Sequence, residues 1–126
     1  MPTQRFPRAA RLLTPAQFEP VLRQGSRHHS PLFRAHVLAT GGDSSRLGIT
    51  IAKRNVKLSV ERNRLRRHMR EAYRHARASL GGFDIVLIAK AGAHEHDGAR
   101  VRHELSQLLV TIAALKRAPP TGTIAP

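Results

Sequence analysis

Residues 46–89 read RLGITIAKRNVKLSVERNRLRRHMREAYRHARASLGGFDIVLIA. The stretch changes period twice. Residues 46–52 alternate: Leu47, Ile49 and Ile51 share one face, and the small Gly48, Thr50 and Ala52 share the other, as in a strand. A helix then begins within residues 56–60, with Ser59 as a candidate cap and Glu61 suited to the first turn. Gly81-Gly82 ends it, and residues 83–89 form a near-continuous apolar run, as expected of a central strand. Strand, helix and strand make a βαβ unit.

The helix is the chemical centre of the chain. Lys53–Arg77 holds ten of the 22 Lys+Arg residues and only two acids, Glu61 and Glu71. At about 100° per residue, Leu58, Leu65, Met69, Ala72, Tyr73 and Ala76 gather into one stripe. Arg62, Arg66, Arg77, Arg70, Asn63, Arg74 and Arg67 fill an arc of roughly 140° beside it. A solvated face normally mixes signs one turn apart; Arg62, Arg66 and Arg70 instead stack like charges, which costs stability unless a polyanion compensates. The planar Arg fork also suits bidentate phosphate contact. Lys53, Arg54 and Lys57 extend the charge ahead of the helix.

Outward from this unit, residues 32–39 alternate, with Phe33, Ala35, Val37 and Ala39 on a dry face and Leu32, Arg34, His36 and Leu38 on a mixed one. The turn-rich stretch 40–45 suggests that 32–52 folds as a hairpin. Earlier, Thr14-Pro15-Ala16-Gln17 reads as a capping box opening a helix that Gly25 stops; Phe18, Val21 and Leu22 lie on one side of it, and Pro20 threatens to kink it. After residue 97, Val101, Leu105, Leu108, Ile112 and Leu115 recur at helical spacing, with Asp97 as a possible cap. One domain over residues 1–117 is expected, with a basic, extended segment at 1–13 and a disordered, proline-containing tail at 118–126.

With 126 residues, 40% apolar composition and a formal net charge of +14, the chain has a core and a strong bias toward nucleic acid. No run approaches the roughly 18 apolar residues of a spanning helix, and the start lacks the pattern of a signal peptide. The absence of cysteine removes disulfides, thiolate metal sites and cysteine nucleophiles, and suits a reducing cytoplasm. His94-Glu95-His96-Asp97 resembles a metal cluster in composition, but His at i,i+2 lacks the helix spacing of a zinc site and no further ligand is evident. The eight scattered acids do not suggest a protein-borne metal nuclease, so no catalytic residue and no metal ligand is expected in this chain. A purely structural RNA binder would satisfy the same charge pattern.

The residues carry a specific likeness. Arg46-Leu47-Gly48-Ile49-Thr50-Ile51-Ala52-Lys53-Arg54, then Val60-Glu61-Arg62-Asn63-Arg64-Leu65-Arg66-Arg67 and Arg70-Glu71-Ala72-Tyr73-Arg74, resemble the bacterial ribonuclease P protein family. Arg11-Leu12, Phe18 with Val21, Gly25, Phe83-Asp84-Ile85-Val86 and the closing helix fall in order, so the likeness covers about residues 5–115. It implies an α+β fold, a two-layer α/β sandwich with order αβββαβα, a left-handed βαβ crossover and a four-stranded sheet packed by helices. It also implies a function: a subunit that binds the catalytic RNA of ribonuclease P and the 5′ leader of precursor tRNA, assisting Mg2+-dependent removal of the leader. The RNA would carry the active site and hold most of the Mg2+, the protein alone would be inactive, and no membrane and no obligate protein partner enters.

By the same resemblance, Lys53, Arg54, Lys57, Arg62, Asn63, Arg64, Arg66, Arg67, Arg70 and Arg74 bind RNA. Arg11, Phe18, Leu22, Arg34, His36 and Thr50 line the leader cleft. Leu22 stands where the family often has an aromatic, and His36 keeps that pattern only partly, which shifts weight from base stacking toward Arg34 and phosphate contacts.

Overall fold

In the computed structural model, residues 10–42 and 44–115 are described. The expected extended start and proline-containing tail fall mainly outside them. The elements are α1 (Pro15–Gln24), β1 (Ser26–His29), β2 (Phe33–Ala39), β3 (Arg46–Thr50), α2 (Ser59–Ala76), β4 (Phe83–Ala89) and α3 (Gly98–Ala114). This is the αβββαβα order of an α+β fold.

Local chemistry sets the boundaries. Thr14 and Gln17 form the complete capping box, each side chain satisfying the other's backbone N–H. Pro20 lies inside α1. The carbonyl it leaves without a helical donor, that of Ala16, belongs to an exposed residue, so water can take the bond. α1 ends where Gly25 turns to extended backbone (φ −74°, ψ 156°), and only glycine fits there: a Cβ would sit 2.5 Å from the Val21 carbonyl oxygen and 2.8 Å from that of Val37. Asp97 caps α3, accepting the Arg100 amide at 2.8 Å. The expected cap of α2 is corrected: Leu58 occupies the N-cap position without a side-chain bond, and Ser59 is the first helical residue.

The sheet has the order β1-β2-β4-β3. The expected hairpin over 32–52 does not exist, since β4 separates β2 from β3, antiparallel to the first and parallel to the second. β4 can take that central place because six of its seven residues are apolar, falling on both faces, and all but Ile88 are buried. One face carries the main core, where Phe33, Ala35, Leu47, Ile85 and Leu87 meet Leu65, Met69 and Tyr73 of α2 and Leu105, Leu109 and Ile112 of α3. The α2 stripe thus packs as its spacing requires, except that Leu58 remains 63% exposed. The other face carries a smaller cluster of Leu12, Val21 and Val86, with Phe18, Leu38 and Ile88 packed on it.

The hand of the β3-α2-β4 crossover follows from Leu47. Its side chain points into the α2–α3 core, and its carbonyl accepts the Leu12 amide at 2.9 Å on the edge away from β4. Viewed from the α2 side with β3 running upward, an L-residue whose side chain faces the viewer turns its carbonyl to the right. β4 therefore lies to the left, and α2 carries the chain leftward in front of the sheet. The crossover is left-handed, against the strong preference of parallel βαβ units for the right hand.

Candidate nucleic-acid interface

Two basic surfaces emerge. The first is the sheet face opposite α2 and α3. Strand register places His29, Arg34, Ile88 and Thr50 in one row across it, and Arg27, His36, Val86 and Gly48 in the next. α1 lies over part of this face, with the Phe18 ring against Gly48, where an added Cβ would meet Cζ at 2.6 Å. Phe18 is half-buried and Leu22 is 39% exposed. Arg11 stands exposed on the outer edge of β3, bridging Leu47. The six expected cleft residues thus share one side of the sheet or its margin.

His36 is buried at 6% exposure. Its imidazole is held below the usual histidine range by burial, then by Arg34, Arg27 and His29, while a backbone group of Leu22 pulls the other way. Its Nδ1 and the Nε of Arg34 are buried with no hydrogen-bond partner among the described residues. Arg27 and His29 join the cleft from β1, a strand that sequence reading missed. The only signal available was the basic residue at every second position, 27 and 29.

The second surface is α2 and the loop before it. Among the described residues, Lys53, Arg54, Lys57, Arg67 and Arg70 are exposed, and their side chains make no hydrogen bond or ion pair. Arg66 donates to the Asn63 amide oxygen at 3.3 Å, and Arg74 pairs with Glu71 at 2.7 Å. Arg62 and Arg64 turn back onto the protein: Arg62 reaches the carbonyls of Val56 and Lys57, and Arg64 that of His94. Arg67 also borders a groove of about 1020 Å³ between α2 and α3, floored by Ala72, Leu109 and Ala113.

The model of the family described as Ribonuclease P matches residues 6–113. The chain belongs to the ribonuclease P protein family. Its similarity to the ribonuclease P protein component of Stutzerimonas stutzeri is 42% identity over 105 residues, covering 82% of this chain and 79% of that one. Similarity to the component of Xanthomonas oryzae pv. oryzae is 34% identity over 125 residues, covering 99% and 86%. Among solved structures, the ribonuclease P protein of Thermotoga maritima superposes with a TM-score of 0.72 at 31% identity, covering 81% of this chain and 96% of that one.

Ribonuclease P proteins work with an RNA subunit in a ribonucleoprotein endonuclease of tRNA 5′ processing, and that is the role this chain takes. The described residues fit protein-held metal poorly. They contain no group of three or more His, Cys, Asp or Glu placed to hold an ion. Asp84 is occupied by a bidentate bond from Arg46 at 2.7 and 3.1 Å. In the 94–97 loop, the His94 carbonyl accepts from Arg64 and Asp97 caps α3. No helix among the described residues is long and apolar enough to cross a membrane.

Proposed function

We propose that this ribonuclease P protein docks the catalytic RNA on the cationic side of α2 and receives the 5′ leader of precursor tRNA in the cleft beneath α1. On the first surface, Lys53, Arg54, Lys57, Asn63, Arg66, Arg67, Arg70 and Arg74 meet phosphates and sugars, with Arg62 and Arg64 flanking them. In the cleft, Arg34, His36, Thr50, Phe18, Leu22 and Arg11 hold a single strand. Phe18 offers the aromatic platform, and Arg34 the charge.

The observation that carries this reading is that the side chains of Arg67 and Arg70 on α2, and of Lys53, Arg54 and Lys57 ahead of it, pair with no acid among the described residues. A polyanion supplies what the fold omits. Phosphodiester hydrolysis belongs to the RNA, which holds most of the Mg2+. The protein contributes charge neutralisation and placement of the leader, not a catalytic side chain. A reducing cytoplasm is the fitting compartment for this cysteine-free chain.

The test is cleavage of precursor tRNA at low Mg2+ with the chain alone, with its cognate RNA subunit alone, and with both. Stimulation only in the combined reaction is expected. Cleavage by the protein alone would overturn the assignment of chemistry to the RNA. Absence of any stimulation would leave a structural RNA binder.

A further inference from the structure

We infer that Arg62 and Arg64 are positioning residues that clasp the two loops flanking α2, and that of the Arg62-Asn63-Arg64 triplet only Asn63 faces the RNA. The inference rests on the α2 surface being the RNA-binding one. It reverses the expected role of two residues in the motif that carries the family likeness.

Residues two apart on a helix point about 200° apart, so Arg62 and Arg64 cannot address one partner together. Each finds its own. The Nη1 group of Arg62 donates to the Val56 carbonyl at 2.9 Å and to the Lys57 carbonyl at 2.8 Å, which uses both of its N–H bonds. That loop is anchored elsewhere as well. Val56 is fully buried, the Asn55 side-chain amide donates to the Ala89 carbonyl at 3.3 Å, and the Asn55 and Val56 backbone amides turn back to Ala52. What it presents outward is Lys53, Arg54 and Lys57.

Arg64 works on the opposite flank. Its Nη2 donates to the His94 carbonyl at 2.9 Å and reaches that of His96 at 3.4 Å, while its Nε lies 3.4 Å from Glu61. It thereby fastens the loop that leads into α3. Both arginines grip main-chain oxygens, so the grip fixes backbone shape whatever side chains the loops carry. Charge-assisted bonds of this kind are the strong ones, and a phosphate would have to displace them to claim either guanidinium's bound N–H groups. Asn63, between the two, is exposed.

The test is a double-mutant cycle on the full chain with its RNA subunit, reading dissociation constant against salt. Arg62→Ala is measured in the natural background and in Lys53→Ala/Arg54→Ala/Lys57→Ala. A clasp acts through the loop cations, so the affinity lost on Arg62→Ala should largely vanish in the triple background. Amide exchange of residues 55–57 in the free protein should speed up in Arg62→Ala, and that of residues 94–97 in Arg64→Ala, with exchange in β4 unchanged. Arg64→Ala should keep the natural salt slope. Equal loss in both backgrounds, with a slope reduced by about 0.7–0.9 and loop exchange unaltered, would show direct phosphate contact and overturn the inference. A triple variant that binds RNA normally would instead sink the RNA surface itself, and the exchange measurement would still decide the clasp.

Discussion

The ring of Phe18 rests on the α-carbon of Gly48, so close that a Cβ at residue 48 would lie 2.6 Å from Cζ and 3.2 Å from the Leu12 Cβ. Glycine at 48 is thus what lets α1 approach the sheet and form the cleft. Gly48→Ala should push the ring outward and cost about 1–3 kcal/mol, with Leu12 less able to yield than Phe18. Urea unfolding measures the loss, and leader affinity should fall with it. A variant within about 0.5 kcal/mol of the parent would mean that the ring swings aside freely.

Arg67→Ala and Arg70→Ala remove cations that nothing in the described chain engages. Each should leave folding stability within about 0.5 kcal/mol of the parent. Each should also lower the slope of log affinity against log salt by about 0.7–0.9, one phosphate's worth. An unchanged slope would place that arginine in solvent in the complex.

Arg46 and Asp84 form the most buried ion pair among the described residues, with the carboxylate side chain 8% exposed and the guanidinium side chain 38%. The bonds that Arg46 donates to the Asp84 carboxylate raise the Arg46 pKa, outweighing burial, which lowers it. Arg46→Met strands a buried carboxylate. Because Arg46 is itself part-exposed, water recovers some of the loss, and about 1–3 kcal/mol is expected in denaturant unfolding. Asp84→Asn should cost less, since a neutral amide is cheaper to bury. Equal costs would show that the charge is not what matters.

Three histidines shape the response to acid. His36 is held below the ordinary value of 6.5 by burial and then its basic neighbours; His68 by burial and then Arg64, Arg102 and Arg67; His28 by burial and then His29. A folded-state pKa below the unfolded one means that the unfolded chain binds protons first. Stability is therefore complete above about pH 6.5 and falls as pH drops through that value toward the folded-state pKa values. Urea midpoints at about pH 7.5 and 5.5 should differ in that direction, and His36→Gln should remove part of the difference. A midpoint that holds or rises on acidification would contradict it. Glu71, held low chiefly by its bond from Arg74, acts only at more acidic pH, near carboxylate titration.

Where sequence and structure agree, the signal was local. The box at Thr14 and Gln17, the stripe of Leu65, Met69 and Tyr73, and the cap at Asp97 each declare themselves within a few residues. β1 was invisible because Ser26–His29 offers no apolar alternation; it is an edge strand held by pairing with β2. The false hairpin had a related cause. Neighbouring strands usually pair, and nothing between residues 32 and 52 announces that a segment more than thirty residues on will come between them. The candidate site divides in the same way. Charge on α2 was legible, but the inward turn of Arg62 and Arg64 depends on carbonyls that only the folded loops supply. The left hand of the crossover had no signal in period or composition.

The central place of β4 has a consequence for synthesis. A ribosome delivers β1, β2 and β3 well before residues 83–89, yet β2 and β3 have no bond to each other to form. Until β4 emerges, the chain is a two-stranded ribbon, an orphan strand and a nascent helix rich in arginine, with most of its core unmade. Closure of the sheet is one late, non-local event, and such events are slow. In a cell crowded with nucleic acid, the polycation is exposed before the fold that is to aim it exists.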